Sequence, residues 1–458
     1  MSAPSVTDAC LDLILDAERH PRGPWTDLAE RAFLDTIGVL IAGSDDPAVS
    51  AVASTVEETD GPAVSLATGR RMSARSAALI DGTAAHALDY DDVDDAVIAH
   101  PSAVLVPVLV AAGLQQSANG PSLVDAFRAG VRVNRLLAEA LGIREHYELG
   151  WHSTSTIGTV GAAAAVSRLL GLTPNQTRNA LGIAGSLAAG SRRAFGTMTK
   201  PLHCGTAASN GLLAAQLARG GMTSDPDLLG GELGFIALHG SDAGFSPADH
   251  DSDTPALNTK YFPCCYYTHS AAEAALTLSA DSDTSIVEVD VAVQPGGLAP
   301  LIHHRPADAS QAKFSMEFVV AAALLRGEIN LRTFDDTHVR AADITDLIPR
   351  IQTRTVSSPP VGPRTDGPFA VVTITGADGR RQSARVDHPA GHASRPIDDV
   401  RLHAKFLDCT AGRLGTDTAR GAYEFIRHLR DLRCVEDLIT AVGHDETQRT
   451  RTTGRVTQ

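Results

Sequence analysis

The sequence predicts a mostly α protein built from a large all-helical domain and a smaller α+β domain. Ala-rich apolar runs at helical spacing recur through the first 280 residues or so. A threonine and a proline at 173 and 174 begin one helix almost where another ends, and near residue 284 the periodicity switches from helical to alternating. Helices joined by so short a connection make a bundle and not a doubly wound sheet. Alternation marks a half-buried strand, whose successive side chains point to opposite faces.

In chain order, residues 27–43 carry a stripe of Leu28, Ala32, Phe33, Ile37, Leu40 and Ile41 that stops at Gly43. An Ala-rich helix through His86 delivers Asp89, Asp91, Asp92 and Asp94 into a loop closed by His100 and Pro101. Residues 102–115 and 122–142 repeat the apolar helical spacing and lead to REHYELGWH. At TPNQ, Thr173 is the N-cap, Pro174 the first helical residue and Gln176 the third, a capping-box pattern that follows a helix ending near Gly171. Another helix is predicted over 211–221, followed by a polar loop holding SDPDLLGGELGF and HDSDTP. His269 opens an Ala-rich helix.

In SIVEVDVAV, Val287, Val289, Val291 and Val293 alternate with polar residues, KFSMEFVVAAALLRG is helical, and FAVVTITGADGRRQSARVDH is a hairpin turning at Asp378 and Gly379. KFLDC and the helix from Tyr423 to Leu432 return to the helical part. The expected domains are therefore 1–268 plus 401–458, all-helical, and 269–400, α+β. The tail ETQRTRTTGRVTQ is polar enough to be disordered.

A chain of 458 residues with 43% hydrophobic content and mean hydropathy near zero suits a soluble globular protein. Its net charge of −15 argues against a nucleic-acid partner without forbidding an anionic substrate, which responds to the local field. The six cysteines form neither a CxxC pair nor a framework. The N-terminal stretch lacks a signal-peptide pattern, and no apolar run reaches the ~20 residues of a membrane span, so a cytoplasmic location is expected.

The stretch from Trp151 to Gly211 places His152, Lys200 and His203 between Ala- and Gly-rich helical runs. Small residues permit close approach and helix N-termini favour negative charge, as a pocket for an anionic small molecule requires. The competing assignment is a capping histidine and a snorkelling lysine. The acidic run is not a calcium loop, because counting from Asp89 the sixth and twelfth positions are Asp94 and His100 where glycine and glutamate are needed. Taken alone it would be a solvated loop. The glycines form no dinucleotide fingerprint.

GWHSTST, GTMTKPLHCG, HALDYDD with the following HPSA, KYFPCCYYTH and KFLDC together resemble the MmgE/PrpD family, which includes 2-methylcitrate dehydratase, cis-aconitate decarboxylase and iminodisuccinate epimerase. The resemblance spans nearly the whole chain. It implies a mostly α fold whose α+β domain acts as a lid, a homodimer, and an enzyme needing neither metal nor organic cofactor. It implies Asp89, His100, His152, Lys200 and His269 as catalytic residues. Lys200, a permanent charge unless desolvated, suits carboxylate binding, and His203, three residues on, shares its face if that turn is helical and joins it as the weaker substrate-binding candidate.

Such enzymes make or quench a carbanion beside a carboxylate of a small di- or tricarboxylate. Histidines near neutrality suit the proton transfers and a lysine suits the carboxylate. Dehydration of a hydroxylated acid is the expected reaction, with epimerisation or decarboxylation as alternatives and an inactive helical scaffold as the non-enzyme one. Three departures bear on this: the loop between Asp89 and His100 is one residue longer than in the decarboxylase, Val93 stands where that enzyme carries threonine, and Phe318 where lyase members often have tyrosine. Cys264 and Cys265, being adjacent, cannot easily share one pocket and receive no role.

Overall fold

The computed structural model describes residues 5–16, 23–57, 59–240, 255–279, 286–365 and 367–444. The HDSD segment at 250–253 and the tail from 446 lie outside them. The long helices Pro24–Gly43, Ala74–Ala87, Pro101–Gly113, Gly120–Leu141, Ser153–Leu169, Pro174–Leu187 and Thr199–Arg219 share one apolar core with Asp399–Leu414 and Thr416–Ile426 near the other end of the chain. The capping box at Thr173 and Gln176 forms in both directions, so the helix starts where its local chemistry requires.

Small residues set how closely this bundle packs. A Cβ on Gly205 would lie 2.1 Å from the Leu79 carbonyl oxygen, and one on Gly82 would lie 2.9 Å from the Gly205 Cα. One on Gly211 would meet the Ala162 Cβ at 2.4 Å. The Thr199–Arg219 helix is thereby pressed against both Ala74–Ala87 and Ser153–Leu169. Lys200 and His203 lie inside its first turns, where separate helix and pre-helix segments were expected. Pro201 breaks nothing so early in the helix, because its absent N–H has no partner to lose there.

Within the helical part a two-residue ribbon pairs β1 (Ala63–Val64) with β2 (Arg71–Met72) antiparallel, too short to show alternation in sequence. The second part is a four-stranded sheet of β3 (Ile286–Val293), β4 (Ile351–Thr355), β5 (Ala370–Gly376) and β6 (Arg381–Val386) in the order β4-β3-β5-β6. Only β3 and β4 are parallel.

Val289, Val291 and Val293 point into the core, but Val287 is exposed because the β3 register shifts between Ile286 and Glu288. The hairpin turns at Gly379, whose φ of +81° is open to glycine. Helices His269–Ser279 and Met316–Arg326 complete this second core, which also takes in Phe195, Phe262, Cys264 and Cys265. Ala390 and Ile397 belong to the first.

Gly205→Ala is expected to destabilise the chain by about 1–3 kcal/mol through overpacking. Gly412→Ala, in a helix with nothing near the added carbon, should stabilise it by about 0.5–1 kcal/mol. Urea unfolding of the two variants checks both signs.

Candidate active site

The site begins where the Ala74–Ala87 helix ends. Asp89 holds a left-handed φ of +52°, a conformation that aspartate tolerates better than most residues. The acidic run is not a solvated loop: Asp89, Asp91, Asp92 and Asp94 are all buried. Each has a partner. Asp89 Oδ1 accepts from Lys200 Nζ at 2.6 Å, with Lys260 Nζ 3.2 Å from its other oxygen. Asp91 lies 2.8 Å from His86 Nδ1, Asp92 is bonded to Ser102, and Asp94 pairs with Arg135 at 2.7 Å.

An ionised carboxylate only accepts, so His86 donates from Nδ1 to Asp91. Its Nε2 lone pair then receives Lys200 Nζ at 2.6 Å. Lys200 is thus held between an Asp–His couple and Asp89, with the rings of Phe195 and Phe314 5.3 Å and 5.1 Å from its ammonium. His100 packs against His86 with ring centroids 4.5 Å apart and donates Nδ1–H to the Asp92 carbonyl at 2.8 Å, which leaves its Nε2 with the lone pair.

His152 occupies the N-cap position of Ser153–Leu169 but makes no side-chain capping bond. Its Nδ1 lies 2.9 Å from His203 Nδ1, and its ring stacks 6.1 Å from that of His86. His269 opens its helix as expected and donates from Nε2 to the Cys264 carbonyl at 3.3 Å. It shares no hydrogen bond with the other four candidates. Its buried Nδ1 has no hydrogen-bond partner among the described residues.

Asp89, Lys200, His100, His152 and His203 therefore gather around His86, and His269 stands apart within the electrostatic reach of Lys260 and Asp89. Sequence reasoning passed over His86, Asp91 and Lys260 as site members, although the first two stand in HALDYDD and the third opens KYFPCC. A compositional signal was there to be read. Only four of the 39 Lys and Arg residues are lysines, at 200, 260, 313 and 405, and all four are buried. Phe318 does not reach the site: it is buried against Phe334, with ring centroids 5.6 Å apart, and the aromatic at Lys200 is Phe314, just ahead of that helix.

Burial governs the titration of the cluster. It would raise the Asp89 pKa, but Lys200 and Lys260 outweigh it and hold the carboxyl well below the usual range. Burial also disfavours the charge of Lys260, and Asp89 and Asp91 overcome it, leaving that ammonium above its ordinary value. Burial keeps His86, His100 and His152 neutral, helped at His100 by Lys260 and at His152 by Lys200. It lowers His203 to about 4 and His269 to about 3. Asp92 is pushed up to about 8 by burial.

His86, Asp89, Asp91 and His100 offer ligand atoms all within 4.8 Å of one another, spacing that a metal ion could use. No metal was expected from sequence. The lone pairs of His86 Nε2 and Asp89 already face Lys200 and Lys260. A cation would have to displace those ammoniums.

The cavity walled by His86, Asp89, Lys200, Lys313 and Phe314 is only about 20 Å³, against ~300–1,000 Å³ for typical ligand pockets. A cavity of about 680 Å³ lined by Trp25, Arg128, Arg168 and Arg430 lies elsewhere and contains no histidine or lysine.

The sequence models of the MmgE/PrpD N-terminal and C-terminal domains match residues 17–248 and 262–431, so the chain belongs to the MmgE/PrpD family. Among curated proteins it is similar to cis-aconitate decarboxylase of Homo sapiens, 28% identical over 426 residues covering 88% of this chain and 87% of that one. The Mus musculus protein of the same name is 29% identical over 431 residues, covering 88% and 86%. Cis-aconitate decarboxylase of Aspergillus terreus is 24% identical over 365 residues, covering 71% and 74%.

A histidine whose pKa is depressed by folding binds its proton more readily in the unfolded chain. Its contribution to stability is complete above the ordinary value of 6.5 and is lost as pH falls toward the folded values of about 4 for His203 and about 3 for His269. Thermal melting midpoints should accordingly hold near pH 7 and fall between pH 6.5 and 4. His203→Gln should reduce the size of that fall.

Proposed function

We propose that the chain is a cofactor-independent lyase acting next to a carboxylate of a small di- or tricarboxylate, and that its reaction is elimination of water from a hydroxylated acid. The observation that carries this reading is the presence of two separate histidine systems at one lysine: Asp91–His86, whose Nε2 meets Lys200, and His152–His203, whose His152 ring stacks 6.1 Å from that of His86. Dehydration needs a base for the C–H proton and an acid for the departing hydroxyl, and neutral histidines beside ammonium groups supply both kinds of group. Lys200 and Lys260 would take substrate carboxylates and absorb the charge that develops on them in the transition state. Asp89, His100 and His269 complete the proposed catalytic set, His203 contacting substrate beside His152.

Decarboxylation is the second reading, because the curated relatives above are named as cis-aconitate decarboxylases. It needs one protonation after carbon dioxide leaves, and the same residues suffice.

Incubation with hydroxylated and unsaturated tricarboxylates in deuterated water, followed by NMR and mass analysis, separates the reactions. Loss of water supports dehydration, loss of carbon dioxide supports the second reading, and deuterium uptake at unchanged composition supports epimerisation and overturns both. On the substrate so found, His152→Gln should lower kcat by ~10²- to 10⁴-fold, and Lys200→Met should act mainly on KM. We also propose a homodimer, in keeping with the Ala-rich helix available for an interface, and a cytoplasmic location, in keeping with six free cysteines. Light scattering at low micromolar concentration that reports a 47.9 kDa particle would exclude the dimer.

A further inference from the structure

KFLDC is the one motif singled out in the sequence that the proposed chemistry leaves without a task. Its lysine, Lys405, is buried in the Asp399–Leu414 helix, far along the chain from every candidate catalytic residue. Among the described residues no hydrogen bond or ion pair joins it to Lys200 or to the histidines named above. Its ammonium donates to the Tyr90 carbonyl and to the Lys260 carbonyl, both at 2.9 Å, lies 2.7 Å from Asp35 Oδ1, and sits 3.9 Å from the centre of the Tyr90 ring.

The other buried lysines show what this bridge accomplishes. Lys313 Nζ donates to the Ala87 carbonyl at 3.0 Å, and Lys260 Nζ to the Asp89 carbonyl at 2.8 Å. Three ammoniums thus cap carbonyls at 87, 89 and 90, the turn that leaves the Ala74–Ala87 helix. Helix C-terminal carbonyls have no partner within the helix and carry partial negative charge. The turn also contains Asp89 at positive φ, a conformation that persists only where the surroundings over-determine it. Lys405 joins this turn to the backbone carbonyl of Lys260, and so to the second cation on Asp89, beside the Tyr90 hydroxyl, which donates to the neighbouring Tyr261 carbonyl at 3.2 Å.

We propose that Lys405, with Asp35 as its counterion, is a positioning residue: by bridging the carbonyls of Tyr90 and Lys260 it sets the distance between Asp89 and its two lysines. Its importance for turnover rests on the reading that Asp89 and Lys200 belong to the reacting centre. Its effect on their geometry does not.

The scarcity of lysine makes the test direct. Protein labelled with [ε-¹³C]lysine gives four side-chain signals, and each Lys→Met variant assigns one of them. The chosen variant is Lys405→Met combined with Asp35→Asn, so that no buried carboxylate is left alone. In a chain shown to be folded by circular dichroism, the Lys200 and Lys260 signals should shift. On an identified substrate, kcat should fall at least about tenfold with KM little changed. Should the double variant not fold, Asp35→Asn alone keeps the ammonium while loosening it, and the Lys260 signal should still move.

Lys200 and Lys260 signals that stay unmoved in a folded variant overturn the proposal, whatever happens to kcat. Shifted signals in a protein that turns over no carboxylic acid would support it while removing the proposed function.

Discussion

The burial of four ammonium groups around one helix C-terminus is the constraint on which the rest of this structure depends. Lysine is almost never fully buried without a partner, because desolvating its charge costs several kcal/mol. Here the cost is met by Asp89 and Asp35 and by backbone carbonyls at 87, 89, 90 and 260. Those partners come from widely separated parts of the chain, so they meet only if the Thr199–Arg219 helix packs tightly on Ala74–Ala87. Gly82 and Gly205 make that approach possible. Glycine contacts and ion pairs are thus one device: the former set the distance at which the latter become favourable.

The same burial shapes the chemistry. Excluding water lowers the histidine pKa values, so the rings remain neutral and their lone pairs stay available. Lys200 and Lys260 stay beside them because Asp89 neutralises part of their charge. An anionic substrate can be attracted into such a site in a chain of net charge −15, because nearby charges in a low-dielectric pocket dominate over distant, screened ones.

Family membership leaves the reaction open, and the two sides of the cluster differ in their surroundings. Val93 exchanges backbone hydrogen bonds with Asn258 in both directions, at 2.9 Å and 2.8 Å. The main chain there is held by these bonds whatever side chain position 93 carries. Val93 lines a cavity of about 380 Å³ together with Tyr266 and Ser270, the latter next to His269. The Lys200 side of the cluster faces Phe195 and Phe314 instead.

Local patterns in the sequence determined the elements: helical periodicity, the Thr173 capping box and the alternation at Val289, Val291 and Val293 all appear where residues a few positions apart decide the outcome. The motifs also located the loop and helix ends carrying Asp89, His100, His152, Lys200 and His269. Tertiary structure alone decided what those segments do to one another. His86 lies next to the end of an Ala-rich helix in sequence and becomes the hub of the cluster only because Lys200, 114 positions away, reaches it. Helical register put Phe318 into the core and left Phe314, just outside the helix, facing Lys200. Burial made the acidic run a set of paired carboxylates where composition alone suggested a solvated loop. Periodicity reports which side of an element is apolar; which polar groups meet depends on how closely two helices can approach, and that was set by single glycines in contact with distant backbone.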